Sequence, residues 1–244
     1  MAAGSWKQVG NSGDWIGTIA GTSHRGKLFT AEGSGSLYET CPHSGAYKVI
    51  GKPEFSGTKF AFSIGEDIVT LENSGSLYRV NSDTGMWNTI GNPGEWVNTI
   101  AATQLAGNIY TIENSGVLYS TDPKSGNYTA LGGADFIDTL FMVAIEGSLY
   151  TIERTGSLYR VCPQNGSWER IGKAGDWLNT IAVATINGKL YTIETSGTLW
   201  ETDPQSGAYK TLGASDFAGT RFMFAIDGAL YTIEKSGSLY RVEV

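Results

Sequence analysis

A four-residue pattern, Gly-x-Leu-aromatic, recurs along the whole chain at nearly constant spacing. Successive copies are 40, 41, 40, 41 and 40 residues apart. A period of about 40 residues is typical of closed repeat arrays such as propellers, in which each repeat buries its apolar surface against the next one. The six copies begin at Gly35, Gly75, Gly116, Gly156, Gly197 and Gly237.

Each repeat divides into four short strands, as the third repeat shows. Its apolar and β-branched runs cover 99–104, 109–113, 117–121 and 127–131, and the segments between them are rich in Gly, Asn, Asp and Pro. Such runs bounded by turn residues predict strands, and no stretch keeps a helical period of 3.6 residues. We therefore predict an all-β fold, a six-bladed β-propeller with four antiparallel strands per blade, forming a single domain over residues 1–244.

The ends of the chain predict how the ring closes. The sixth repeat stops at Val244, after its third strand, so its fourth strand is missing there. The segment Ser5–Val9 aligns with the fourth strand Ser167–Ile171 of another repeat. We expect the N-terminal strand to complete the last blade, which would cover the strand edges that an open array exposes.

The chain also has a second period of 81 residues, about twice the length of one repeat. It relates Trp15, Trp96 and Trp177 in alternate repeats, and Phe55, Phe136 and Phe217 in the others. First strands also alternate between bulky and small side chains, which predicts interdigitation of neighbouring blades. The ring is therefore expected to be three copies of a two-blade unit.

Composition narrows the classes of partner. The net charge of −7 and the low pI of about 4.9 argue against nucleic acid and anionic membranes, which require clustered Lys and Arg. The N-terminus lacks the basic and apolar regions of a signal peptide, and no run reaches the ~18 apolar residues of a membrane helix. We expect a cytoplasmic protein, with export by a non-classical route left open.

Cys41 and Cys162 occupy the same repeat position three blades apart, which predicts two free thiols.

The loop before each first strand contains the candidate ligand-binding residues. In three repeats it reads (Asp/Glu)-Trp-x-(Asn/Gly)-Thr. A Trp face can stack on a sugar ring while the neighbouring carboxylate and amide bind hydroxyl groups. The alternative is that each Trp wedges between blades. The predicted ligand-binding residues are Asp14, Trp15, Glu95, Trp96, Asn98, Asp176, Trp177 and Asn179.

Two further polar positions recur in every repeat, a Glu at the end of the second strand and a Thr two residues before it. Since they share one face of the strand, we expect them to satisfy turns or bridge blades rather than bind a ligand. The glutamates are Glu32, Glu72, Glu113, Glu153, Glu194 and Glu234. The threonines are Thr30, Thr70, Thr111, Thr151, Thr192 and Thr232.

No constellation of residues predicts catalysis. Arg79, Arg160 and Arg241 are 81 residues apart, so a ring would spread them too widely to converge on one substrate carboxylate, as six-bladed sialidases require. The only histidines, His24 and His43, have no matching nucleophile. The sequence predicts no enzyme activity, no catalytic residue, no metal site and no cofactor.

The segment Ile186–Gly213, "INGKLYTIETSGTLWETDPQSGAYKTLG", resembles kelch-type repeats, and the resemblance covers all six units. It departs from the kelch pattern where a Gly-Gly pair would follow the second strand. The short, similar blades with Trp-x-Asn-Thr also look like propeller lectins of the tachylectin and tectonin type. From the near-identical repeats we expect a multivalent glycan-binding protein with three sites, or six if both blade types bind, and we expect it to be a monomer. The kelch resemblance implies the alternative, a non-catalytic protein–protein interaction scaffold.

Overall fold

The computed structural model describes residues 2–244, which form twenty-four strands in six four-stranded sheets and no helix. We number the sheets as blades in chain order. Blade 1 contains β2 (Thr18–His24), β3 (Lys27–Glu32), β4 (Leu37–Thr40) and β5 (Tyr47–Ile50). Blade 2 contains β6 (Thr58–Ile64), β7 (Asp67–Glu72), β8 (Leu77–Asn81) and β9 (Trp87–Ile90). Blade 3 contains β10 (Thr99–Leu105), β11 (Asn108–Glu113), β12 (Leu118–Thr121) and β13 (Tyr128–Leu131).

The remaining blades follow the same order. Blade 4 contains β14 (Thr139–Ile145), β15 (Ser148–Glu153), β16 (Leu158–Val161) and β17 (Trp168–Ile171). Blade 5 contains β18 (Thr180–Ile186), β19 (Lys189–Glu194), β20 (Leu199–Thr202) and β21 (Tyr209–Leu212). Blade 6 contains β22 (Thr220–Ile226), β23 (Ala229–Glu234), β24 (Leu239–Val242) and, from the other end of the chain, β1 (Trp6–Val9). All pairings are antiparallel, so the predicted six-bladed propeller is confirmed.

Strand β1 completes the last blade as predicted. It runs antiparallel to β24, with Trp6 opposite Val242 and Val9 opposite Leu239. Val9 is buried in the cluster that also contains Leu239. The two ends of the chain therefore close the ring through one sheet.

The two chain ends also rebuild a turn that is continuous in the other blades. Gly4 N donates to Glu243 O at 2.8 Å, and Glu243 N donates to Ser5 O at 3.0 Å. In blade 4 the continuous turn Cys162–Ser167 has the same two bonds, of 2.9 and 2.8 Å. We call this junction of the two chain ends, Gly4–Ser5 with Glu243, the clasp. It reproduces the hydrogen bonding of an uninterrupted blade.

The hydrophobic core is divided among the boundaries between adjacent blades, which we call seams. Second strands are buried on both faces, because each contributes side chains to two seams. At the seam between blades 2 and 3, for example, Leu71 of blade 2 lies in one cluster with Trp96 and Ile109 of blade 3.

The cysteines take no part in cross-linking, since Cys41 and Cys162 are free thiols.

The predicted alternation of bulk is present in the first strands. The bulky members in blades 2, 4 and 6 are Phe60, Phe141 and Phe222, and the equivalent small members in blades 1, 3 and 5 are Ala20, Ala101 and Ala182. The alanines are buried and the phenylalanines are half-buried. The two-blade unit therefore describes the packing as well as the sequence.

Two of the three seams that follow an even-numbered blade have a cationic bridge. The Lys59 amine of blade 2 donates to the carbonyl of Thr99 in blade 3. Arg221 of blade 6 donates from Nη2 to Thr18 O at 2.6 Å and from Nη1 to Ile16 O at 3.0 Å in blade 1. Leu140 occupies this position in blade 4 and has no donor. The seam between blades 4 and 5 therefore lacks the bridge.

We expect Leu140→Arg to stabilise the protein by supplying this bridge to the Thr180 carbonyl. A hydrogen bond to a charged group contributes about 1.5–3 kcal/mol, part of which is lost in ordering the side chain. For a chain of this size we expect the melting temperature to rise by about 2–4 °C. Leu140→Met is the uncharged control, and equal melting temperatures for the two variants would contradict the prediction.

Candidate functional site

The loop before each first strand is tied to the preceding blade by one recurring hydrogen bond. The backbone N–H of the loop aromatic donates to the carbonyl of the glycine in the preceding blade's turn between its second and third strands, as Trp96 N does to Gly75 O at 3.0 Å. Within blade 3 the loop also meets its own turn, since Asn114 N donates to Asn98 O at 2.9 Å. Loops and turns thus form one face of the ring, which we call the upper face. The six loop–glycine pairs are Trp15–Gly237, Phe55–Gly35, Trp96–Gly75, Phe136–Gly116, Trp177–Gly156 and Phe217–Gly197.

The three loop tryptophans are buried in the seams. Trp15, Trp96 and Trp177 are 0 %, 3 % and 3 % exposed. Each ring meets a fourth-strand tyrosine edge to face, at centroid distances of 5.9–6.2 Å. The expectation that a tryptophan face stacks on a ligand is therefore corrected, because packing between blades covers those faces.

The accessible aromatic surface lies instead on the fourth strands. One aromatic residue there is between 37 % and 49 % exposed in every blade. Each of them contacts an aromatic residue of the adjacent third strand, as Tyr128 contacts Tyr119 with centroids 5.7 Å apart. The six residues are Trp6, Tyr47, Trp87, Tyr128, Trp168 and Tyr209.

A cavity of about 240 Å³ opens beside this aromatic pair in blade 3. Thr111 also lines it, but this side chain is fully buried and its hydroxyl is not accessible to a ligand. The cavity thus combines an exposed ring, carboxylates and an amide. Its lining residues include Glu95, Trp96, Asn98, Thr111, Glu113, Tyr119 and Tyr128.

A smaller cavity of about 160 Å³ lies at the equivalent place in blade 4. Each of its residues has a counterpart by the repeat among the residues that line the blade 3 cavity, with Asp135 at the position of Glu95 and Trp168 at that of Tyr128. The cavity therefore recurs in one blade of each type. It is lined by Asp135, Phe136, Asp138, Glu153, Thr155, Tyr159 and Trp168.

The two blade types differ in how the loop acid is held. In even-numbered blades the fourth-strand Trp donates its indole N–H to that acid, as Trp87 does to Glu54 Oε2 at 2.9 Å, and the pairs Trp168–Asp135 and Trp6–Asp216 repeat this at 3.3 and 3.0 Å. Odd-numbered blades have a Tyr there. Glu95 in blade 3 accepts instead from Asn92 of its own loop, at 2.9 Å from Nδ2. The acid of an odd-numbered blade is not engaged by the aromatic wall.

The recurring second-strand glutamates bind the first strand of their own blade, which is a structural role but differs from the predicted contact with a turn or with another blade. In five blades the Glu accepts a hydrogen bond of 2.7–2.9 Å from the first Thr of the first strand, as Glu72 does from Thr58. In blade 5 the corresponding Thr180 Oγ1 is buried without a partner within the protein. Burial raises the pKa of these five carboxyl groups, those of Glu32, Glu72, Glu113, Glu153 and Glu234.

We expect the protein to be more stable at pH 5 than at pH 7.5. A carboxyl group with a folded-state pKa above its unfolded value stabilises the fold fully below the unfolded pKa, and this contribution is lost as pH rises through the folded pKa. All five buried glutamates therefore change stability in the same direction, and each stabilises the fold less at pH 7.5 than at pH 5. The measurement is the melting temperature at pH 5 and at pH 7.5. Glu72→Gln should reduce the difference between these two melting temperatures, and Glu146→Gln, at an exposed position, should leave the difference unchanged. A melting temperature that falls from pH 7.5 to pH 5 would contradict the prediction.

The structure brings together the predicted residues of blade 3, since Glu95, Trp96 and Asn98 line one cavity. The residues predicted in the other odd-numbered blades, Asp14, Trp15, Asp176, Trp177 and Asn179, lie at the corresponding places in blades 1 and 5. Sequence reasoning did not assign the fourth-strand tyrosines to the site. The recurrence of an aromatic residue there in all six blades was visible, but which face of the strand stays accessible was not.

Comparisons with known proteins show the fold alone. No protein-family model matches the chain, and no curated protein matches its sequence. The solved structures of similar shape include virginiamycin B lyase from Staphylococcus aureus, with 9% identity, a TM-score of 0.68, and coverage of 98% of this chain and 99% of the lyase. YCF48 bound to a D1 peptide has 13% identity and a TM-score of 0.66, with 93% and 77% covered. BamB from Moraxella catarrhalis has 14% identity and a TM-score of 0.58, with 97% and 83% covered.

These similarities extend over most of each chain at very low identity. They support the propeller and leave the resemblance to kelch repeats and to tectonin-type lectins as a hypothesis. In residues 2–244 no helix is long and apolar enough to cross a membrane.

Proposed function

We propose that the protein is a non-catalytic, multivalent carbohydrate-binding protein whose sites lie on the upper face, in the blade 3 cavity and at the corresponding positions of blades 1 and 5. The observation that carries this proposal is the blade 3 cavity, in which an exposed aromatic ring stands beside a carboxylate and an amide. An aromatic wall with a few convergent polar groups suits a small polar ligand that has an apolar face. A pyranose ring is such a ligand.

Several side chains of the blade 3 cavity have a role in this proposal. The half-exposed Tyr128 ring receives the apolar face of the sugar. Glu95 accepts hydrogen bonds from sugar hydroxyls, and the Asn98 amide both donates and accepts. Trp96 forms the buried back of the cavity and positions Tyr128 through their edge-to-face contact.

The odd-numbered blades are the better candidates because their fourth-strand aromatic is a Tyr, which makes no hydrogen bond to the loop acid, whereas the Trp of each even-numbered blade does. The blade 3 cavity exceeds that of blade 4, about 240 Å³ against 160 Å³. In blade 4 the indole N–H of Trp168 binds Asp135, the acid that a sugar hydroxyl would need. Three weak sites on one rigid ring would gain strongly in avidity on a surface that displays many copies of a glycan.

One observation favours the alternative of a protein-interaction scaffold. Four aliphatic side chains on the upper face are between 51 % and 63 % exposed, which suits contact with an apolar protein surface. They follow the loop aromatics in blades 1, 3, 4 and 5. They are Ile16, Val97, Ile137 and Leu178.

A glycan array followed by calorimetry with a monovalent glycan tests the proposal. We expect three sites in the unmodified protein and two after Tyr128→Ala combined with Asn98→Ala. Asn127→Ala, at an exposed turn of the same blade, is the matched control and should keep three. Trp96→Ala is unsuitable, because removing a buried Trp costs about 3–5 kcal/mol of stability.

Two outcomes of this test separate the hypotheses. Absence of binding to any glycan would overturn the lectin proposal. A purified protein partner whose binding is lost in Val97→Asp and Leu178→Asp, but kept in the Tyr128 and Asn98 variant, would establish the scaffold instead.

A further inference from the structure

The six first strands surround a central channel with a volume of about 570 Å³. Its walls are mainly apolar, and three rings from alternate blades form a belt around it. We call this set, Phe60, Phe141 and Phe222, the phenylalanine belt. Pockets that bury most of a small organic ligand usually measure about 300–1,000 Å³, so the channel has room for one.

The charged side chains that line the channel are both cationic. They are Lys59 and Arg221, and no Asp or Glu is among the lining residues within 2–244. The protein as a whole has a net charge of −7. The lining itself is therefore cationic, and two nearby acids, Glu32 beside Arg221 and Glu113 beside Lys59, are not part of it.

These two cations lie next to the phenylalanine belt. Lys59 Nζ is 5.8 Å from the centroid of the Phe60 ring, and Arg221 Cζ is 5.2 Å from that of Phe222. Blades 2 and 6, which carry them, both flank blade 1, whereas blade 4 has Leu140 at the same position. The Lys59 amine is directed to the seam between blades 2 and 3, and the Arg221 guanidinium to the seam between blades 6 and 1. Each cation therefore forms a separate positive position beside the phenylalanine belt.

Both cations retain free donors after bridging the seams. Arg221 uses two of its five N–H groups in the bonds to the carbonyls of blade 1. Lys59 uses one of its three N–H groups in the bond to Thr99 O. The free N–H groups can hydrogen-bond to an anion, and these bonds are strong when the acceptor is charged.

We propose that the central channel binds a small amphipathic carboxylate, with its carboxylate at Lys59 or at Arg221 and its apolar chain against the phenylalanine belt. A fully apolar ligand would give the two cations no anionic partner, and they would repel an amphipathic cation. The channel site is separate from the upper-face cavities and does not depend on carbohydrate binding.

Calorimetry with three probes of equal chain length tests this charge preference. We expect octanoate to bind at least about tenfold more tightly than 1-octanol or octylammonium, and its affinity to fall with added salt. The comparison uses the unmodified protein, so it does not depend on whether a variant folds. Absence of octanoate binding, or equal or tighter binding of octylammonium, would overturn the proposal.

Two substitutions locate the site in the channel. Leu140→Arg adds a third cation at the equivalent position and should tighten octanoate binding severalfold. Lys59→Leu removes one cation from the lining and should weaken octanoate binding severalfold, and its fold should be kept, because Leu140 occupies the same repeat position in blade 4. Octanoate binding that is unchanged in both folded variants would place the ligand elsewhere and refute the proposal.

Discussion

Deletion of residues 2–9 is expected to abolish cooperative folding at moderate temperature. The deletion removes β1, leaves the edge of β24 unpaired and uncovers the seam that Val9 fills. The lost backbone hydrogen bonds contribute about 0.5–1.5 kcal/mol each, and burial of the Val9 side chain contributes about 1.5–3 kcal/mol. Their sum is comparable with the whole stability of an ordinary domain, about 5–15 kcal/mol. Thermal and urea unfolding followed by tryptophan fluorescence would measure the loss.

A circular permutant is the control that separates loss of the strand from a change of chain ends. Val244 and the residue before Ala2 fall at the same repeat position, so joining Val244 directly to Ala2 gives a turn with the length of Cys162–Ser167. A chain that begins at Lys124 and ends at Pro123 then places the same clasp in blade 3. We expect it to melt within a few degrees of the unmodified protein. A deletion variant as stable as the full chain would show that β1 does not close the ring.

Gly126→Ala is expected to destabilise the protein far more than Gly107→Ala, although both glycines have a positive φ, of +77° and +85°. A Cβ added at Gly126 would lie 2.5 Å from Gly91 N, whereas at Gly107 it would meet nothing within 4 Å. The left-handed conformation alone costs Ala about 1–2 kcal/mol. The clash with backbone across a seam cannot be relieved by moving a side chain, so we expect a total loss of roughly 4 kcal/mol or more.

This glycine pair recurs at all six seams, which makes the prediction a test of the whole ring. Denaturant unfolding of the two variants under the same conditions gives the comparison directly. Equal losses of stability would mean that the blades can move apart at little cost. The pairs are Gly10–Gly45, Gly51–Gly85, Gly91–Gly126, Gly132–Gly166, Gly172–Gly207 and Gly213–Gly4.

Parts of the candidate site could be predicted from the sequence and parts could not. The loop residues Glu95 and Asn98 were identifiable because a polar pair beside an aromatic recurs at one repeat position. The exposure of Tyr128 and the burial of Trp96 were not, because both are aromatic and both recur. Which of them faces water depends on where the neighbouring blade lies, and a repeat spacing does not contain that information.

The contacts of the two channel cations could not be predicted from the sequence either. Lys59 and Thr99 are 40 residues apart, and Arg221 and Thr18 are 203 apart. Neither pair shares a local motif. These contacts exist because ring closure brings the first strands together around one axis, so they become visible only in three dimensions.

The sequence by itself determined the number of blades, the four strands in each, the closure by the N-terminal strand and the three-fold repetition of a two-blade unit. These features follow from spacing and turn chemistry, which are local properties of the chain. Only the tertiary structure decided which aromatic rings are accessible, which acids the indoles engage, and that two cations share an apolar channel. These depend on side-chain contacts across the seams, where packing of one blade against the next selects the buried face.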